Sequence, residues 1–145
     1  MQSFNITPKT IYIYYRVSTS RQASNKFNGL DIQTHICEQY AEQIFGIKER
    51  SINYYCDIGS SYNDKASLHQ LKKLIKEHEE NSVILVYDIS RIGRNAFQVF
   101  QLLRRIKKSK SYIISVNDSL CFGKTRLMDK DFYHKVIDAE ADSDF

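Results

Sequence analysis

One proline, five glycines and three cysteines are all that 145 residues contain of these types, and each scarcity closes off a class of protein. Pro8 precedes the first apolar run, and Gly29, Gly46, Gly59, Gly93 and Gly123 fall in loops or at expected element ends. No Pro- or Gly-rich linker, repeat or low-complexity segment divides the chain, so one folding unit is expected. Cys37, Cys56 and Cys121 are scattered, odd in number and without metal-ligand spacing, which argues against a disulfide framework and for core filling in a reducing compartment. His35, His69, His78 and His134 also lack ligand spacing, and no metal site is expected. No apolar run approaches the length of a bilayer span, and Met1 to Thr10 lacks the charged start and apolar centre of a signal peptide. The expectation is a soluble, cytoplasmic protein with no membrane partner.

What is present suffices for a sizeable core: 42% of residues are hydrophobic and 12% aromatic. The formal net charge is +4, but residues 129–145 hold six acidic and two basic side chains, leaving +8 on residues 1–128. A basic body of this kind is compatible with a polyanionic partner.

Four runs rich in β-branched and aromatic residues read as strands: Ile11 to Val17, Ile52 to Cys56, Val83 to Tyr87 and Tyr112 to Val116. Helical patterns lie between them. Ile32, Ile36, Tyr40 and Ile44 recur every four residues before Gly46, a position suited to a left-handed helix cap. Leu68, Leu71, Leu74 and Ile75 form the second pattern, and Phe97, Phe100, Leu103 and Ile106 the third. Alternating strand and helix predicts an α/β fold, with an open, mostly parallel sheet of about four to five strands and helices on both faces. Phe132 to Phe145 reads as the start of a further helix.

In such sheets ligands gather beyond the carboxyl ends of the strands. Tyr14-Tyr15-Arg16-Val17-Ser18-Thr19 is an apolar strand that stops at an arginine and two hydroxyls. Asp57 ends the second strand, and Ser90-Arg91-Ile92-Gly93-Arg94-Asn95 follows the third. An ordinary serine is a poor nucleophile unless nearby groups activate it and bear the developing charge. Here arginines converge on the serine, an arrangement suited to phosphate.

These segments, with Gln22, Leu30-Asp31-Ile32-Gln33 and Gly59-Ser60, resemble the serine recombinases, the resolvase and invertase group, in order and placement over residues 11 to 145. The resemblance implies cleavage and rejoining of duplex DNA through a covalent 5′-phosphoserine intermediate, without metal or nucleotide cofactor. It assigns Ser18 as nucleophile and Arg16, Arg91 and Arg94 to the scissile phosphate. Asp57 joins this catalytic group, while Tyr14, Gln22, Gln33, Lys65, Ser90 and Asn95 are supporting or phosphate-contacting groups. It also implies a homodimer that becomes a tetramer during strand exchange. Residues 1–128 would be the catalytic core and 129–145 the start of a long dimerisation and DNA-linking helix. The chain would then be a catalytic fragment without a DNA-recognition domain.

The sequence departs from the family pattern in three places. Ser90 stands where aspartate is usual, with Asp88 two residues earlier as a substitute acid. Lys65 is the nearest cation where an arginine is usual, keeping charge but losing the bidentate fork. The segment from Arg21 to Gly29 is longer than in compact members.

Simpler readings compete with these assignments. Ser18 and Asp57 could be turn residues, the arginines surface ion-pair partners, and Tyr14 a core residue. Lys72, Lys73 and Lys76, and the five cations of Arg104 to Lys110, read as solvated helix faces. The competing functions are a non-catalytic α/β module that binds phosphate or DNA, and a metal-dependent nuclease built on Asp57 and Asp88.

Overall fold

A computed structural model describes residues 2–17, 29–58, 68–93 and 95–142. Ile11–Val17 forms β1, and its β-branched and aromatic side chains fill both faces of a central strand. Around it lie β2 (Ile52–Ile58), β3 (Val83–Val86), β4 (Tyr112–Ser115) and β5 (Leu120–Phe122), in the order β2-β1-β3-β4-β5. The first four are mutually parallel and β5 is antiparallel to β4. Helices α1 (Gly29–Phe45), α2 (His69–Glu77), α3 (Ala96–Lys108) and α4 (Arg126–Asp142) complete the described elements. None is long and apolar enough to cross a membrane.

Alternation along each strand sends two sets of residues to opposite faces. Tyr12, Tyr14, Ile84 and Val86 meet Leu71 and Leu74 of α2, Val99 and Leu103 of α3, and Phe132 and Val136 of α4. Ile11, Ile13, Val83 and Leu85 meet Cys37, Tyr40 and Ala41 of α1, with Phe4 from the leading segment. Helices therefore cover both faces of the sheet. Burial pushes the Cys37 and Cys121 thiols up to about 12, which fits inert core filling. Gly46 ends α1 at φ +68°, its N–H donating to the Glu42 carbonyl at 2.9 Å, a conformation that favours glycine.

Several expectations change in detail. All four apolar residues expected along α2 are buried, but on α3 Phe97 is 70% exposed, and Val99 and Leu102 take its place beside Leu103 and Ile106. Phe97 and Val99 are about 200° apart on a helix, so one sheet face cannot bury both. Ile32 is also exposed, leaving Cys37, Tyr40 and Ala41 to seat α1. As an edge strand β2 exposes Asn53, Tyr54 and Ile58 rather than burying both faces. The three residues of β5 are too few to show alternation.

Helix α4 begins at Arg126, ahead of the expected Phe132, because Thr125 caps it: Met128 N–H donates to Thr125 Oγ1 at 3.2 Å. Its Asp129, counted with the acidic end of the sequence, is buried. It accepts from Lys107 Nζ at 2.8 Å and Gly123 N–H at 2.7 Å.

Candidate active site

The strand order reverses direction between β1 and β3, since the chain runs from β1 outward to β2 and then returns to β3 and β4. At such a switch point the connecting helices leave to opposite faces, opening a crevice beyond the strands' carboxyl ends. Arg16, next to last in β1, and the turn that follows β3 border this crevice.

Arg16 and Asp57 are paired residues in the β1–β2 ladder, and Tyr14 pairs likewise with Tyr55. Tyr14, Arg16 and Asp57 thus share the sheet face covered by α2 and α3. Both charged groups are buried, at 4% exposure each. The Asp57 carboxylate accepts three hydrogen bonds: from Tyr14 Oη at 2.6 Å, Gln70 N–H at 2.8 Å and Leu71 N–H at 3.0 Å. Its role in the fold follows from a deficiency of α2, whose N-cap is Leu68, a side chain with no acceptor. Helix starts leave N–H groups unsatisfied, and Asp57 supplies from the strand the acceptor that a local Ser or Asp would ordinarily provide.

Burial first, and then the hydrogen bond to Asp57, hold the Tyr14 hydroxyl protonated far above the ordinary phenol range. Tyr14 is therefore a fixed donor. Burial likewise raises Tyr40 to about 12. Unfolded phenols ionise near about pH 10, so this contribution to stability is complete below that pH and lost as pH climbs towards the folded values. Urea midpoints measured from about pH 8 to about pH 12 should fall above pH 10, and less steeply in Tyr14→Phe. Parallel curves for the two proteins would show that Tyr14 adds nothing to the alkaline loss.

After β3, Ile89–Arg91 makes one 3₁₀ turn. Asp88 lies at its N-cap, beyond the strand rather than in it. Its Oδ1 accepts from Ser90 Oγ at 2.5 Å and lies 3.6 Å from Arg91 Nε. Ser90 and Arg91 thus share one carboxylate, which supplies the anion that Ser90 itself lacks. Gly93 follows at φ +132°, a backbone conformation open to glycine, where an added Cβ would lie 3.6 Å from the Leu68 and Val99 side chains. Asn95 then caps α3, its Oδ1 accepting from Gln98 N–H at 3.0 Å, so its amide oxygen already has a helix partner. Gln33 is half-buried on the early turns of α1, on the opposite face of the sheet.

Asp118 carried no signal in the sequence, being one acid in the turn after β4. Its Oδ2 accepts from Ile89 N–H at 3.0 Å and from Ser115 Oγ at 2.6 Å, while Lys135 of α4 stands 4.0 Å from Oδ1. It pins the turn that carries Arg91. Ser18, Gln22, Lys65 and Arg94 lie outside the described residues.

The fold is that of a doubly wound α/β domain with the buried Arg16 and the half-buried Arg91 near its switch point. The Resolvase, N terminal domain family matches residues 11–142, and the chain belongs to this family, the serine recombinases. No curated protein sequence matches it. Among solved structures it resembles the N-terminal catalytic domain of TP901-1 integrase, with 23% identity, TM-score 0.64, and coverage of 94% of this chain and 97% of that one. A resolvase family site-specific recombinase from Streptococcus pneumoniae is 25% identical with TM-score 0.62, covering 92% of this chain and 89% of that one. The first ORF of transposon ISC1904 from Sulfolobus solfataricus P2 shares the fold at 20% identity and TM-score 0.52, covering 94% and 99%.

Proposed function

We propose that the chain is the catalytic domain of a site-specific DNA recombinase that cuts and rejoins strands through a 5′-phosphoserine at Ser18. The observation that carries this reading is the buried pairing of Arg16 with Asp57 at the end of β1, one residue short of the position that Ser18 follows in sequence. In the proposed step the Ser18 oxygen attacks the phosphorus and the P–O3′ bond breaks. The serine gives up its proton, and the leaving 3′-oxygen gains one. Ester energy is kept, so the reverse attack by a 3′-hydroxyl reseals a strand without ATP.

Arg16 and Arg91 offer planar guanidinium groups to phosphate oxygens, with Arg94 assigned the same part from its place in the family motif. Asp57 acts as a positioning residue, because its oxygens already serve Tyr14 and the start of α2. The same occupancy weighs against the nuclease reading at Asp57, whose carboxylate already accepts three hydrogen bonds from protein donors.

The test incubates the chain with supercoiled DNA in chelator and looks for a denaturant-resistant protein–DNA adduct. The expected product carries protein on the 5′ ends and leaves free 3′-hydroxyls, with the linkage mapped to the peptide holding Ser18. Cleavage that needs magnesium and leaves free 5′-phosphates would favour the nuclease. Tight DNA binding with intact strands at every protein concentration would favour the non-catalytic module.

A further inference from the structure

Helices α2 and α3 lie side by side on one sheet face, and a groove of about 720 Å³ runs between them. Six cations line it: Lys72, Lys73 and Lys76 on one wall, and Arg104, Arg105 and Lys108 on the other. All six are exposed, and among the described residues none makes an ion pair. Among the described residues the groove's one carboxylate, Glu77, is instead engaged by the Tyr55 hydroxyl at 3.3 Å. A solvated helix face ordinarily intersperses both signs. Here two facing walls carry one sign, and an anion between them would relieve their mutual repulsion.

The groove begins at Leu68, His69 and Gln98. These residues stand at the N-terminal ends of α2 and α3, beside the helix start that Asp57 caps. It then descends towards Lys76 and Lys108, away from the crevice. Nine residues of α2 span about 13 Å, and one DNA strand advances about 3.4 Å per phosphate along its axis. About three or four consecutive phosphates match this length.

We propose that this groove is a second DNA-contact surface, holding the phosphate backbone of duplex DNA that flanks the cleaved position; this rests on the recombinase reading for the identity of the polyanion. A flexible acidic peptide would suit the charge, but the groove starts beside the helix end that Asp57 caps, next to the proposed phosphate site, and this favours DNA.

The experiment measures binding of the chain to a mixed-sequence duplex by fluorescence anisotropy over a salt series. Each phosphate contact contributes about 0.9 to the slope of log K against log salt. The variant Lys72→Gln/Lys76→Gln/Arg105→Gln should therefore lower that slope by about 2 to 3 and weaken binding about 10- to 100-fold, equally on unrelated sequences. A control, Lys48→Gln/Arg50→Gln/Lys130→Gln, removes the same charge from other surfaces and should change the slope by less than about 1. An unchanged slope in the groove variant, or an equal fall in the control, overturns the proposal. So does a groove variant that loses polyglutamate binding while keeping its DNA slope, since the occupant would then be an acidic protein. Scoring the Ser18 adduct in the same samples separates the two readings. A lowered slope without any adduct in the unaltered chain keeps the groove and removes the recombinase; an adduct with an unchanged slope does the reverse.

Discussion

Alanine in place of Ser18 should leave duplex DNA unattached at every protein concentration, while melting temperature and non-covalent DNA affinity stay at their original values. If Ser18 is the proposed nucleophile, removing its oxygen removes the adduct. Loss of a covalent nucleophile typically removes on the order of 10⁴- to 10⁶-fold of rate, so residual cleavage should fall below detection. Arg16 and Arg91, held respectively in the ladder beside Asp57 and on the turn beside Asp88, are unaltered in the variant, so the proposed phosphate contacts should persist. This separates chemistry from affinity: anisotropy reports unchanged binding and denaturing gels report no covalent species. An adduct that survives would move the nucleophile to another residue.

The second large effect is expected at Asp57. Asp57→Ala leaves the buried Tyr14 hydroxyl and the N–H groups of Gln70 and Leu71 without their acceptor. Losing an N-cap costs about 0.5–2 kcal/mol, and stranding a buried donor about 1–3 kcal/mol. A combined loss of about 3 kcal/mol corresponds to a melting temperature roughly 10 °C lower for a chain of this size. Asp57→Asn keeps an acceptor of the same shape and should lose about 1 kcal/mol. Tyr14→Phe should be strongly non-additive with Asp57→Ala in a double-mutant cycle, because both changes remove one bond. If Asp57→Ala melts within a degree of the unaltered chain, the remote-cap account fails and the acid's value lies elsewhere.

Much of the fold is legible in the sequence because central parallel strands are apolar on both faces. Ile11 to Val17 could be bounded from residue types alone, and the structure gives it the same ends. Legibility falls where an element's partners come from afar. On α3 the apolar residues cover more than one face, and only the position of the sheet decides that Val99 goes in and Phe97 out. The start of α4 depends on one Thr125 cap placed before any clear periodicity. At the site, Arg16, Asp57 and Arg91 could be picked out because each ends or follows a strand. The connections that hold them could not. Asp57 to Leu71 and Ile89 to Asp118 are bonds between segments whose sequence spacing announces nothing. Asp88 was a plausible substitute acid by position, and only its geometry shows one oxygen shared between Ser90 and Arg91.

The Asp57 carboxylate also has a consequence for the order in which this domain becomes competent. Its three donors come from β1 and from the first turn of α2, and its own strand reaches β1 only through a parallel pairing across about forty residues. Such distant pairing is slow relative to local helix formation. A partly folded chain with β2 undocked therefore lacks the capped helix, the fixed tyrosine and the acid beside Arg16 at one stroke. The arrangement around Arg16 is thus completed only with the sheet itself.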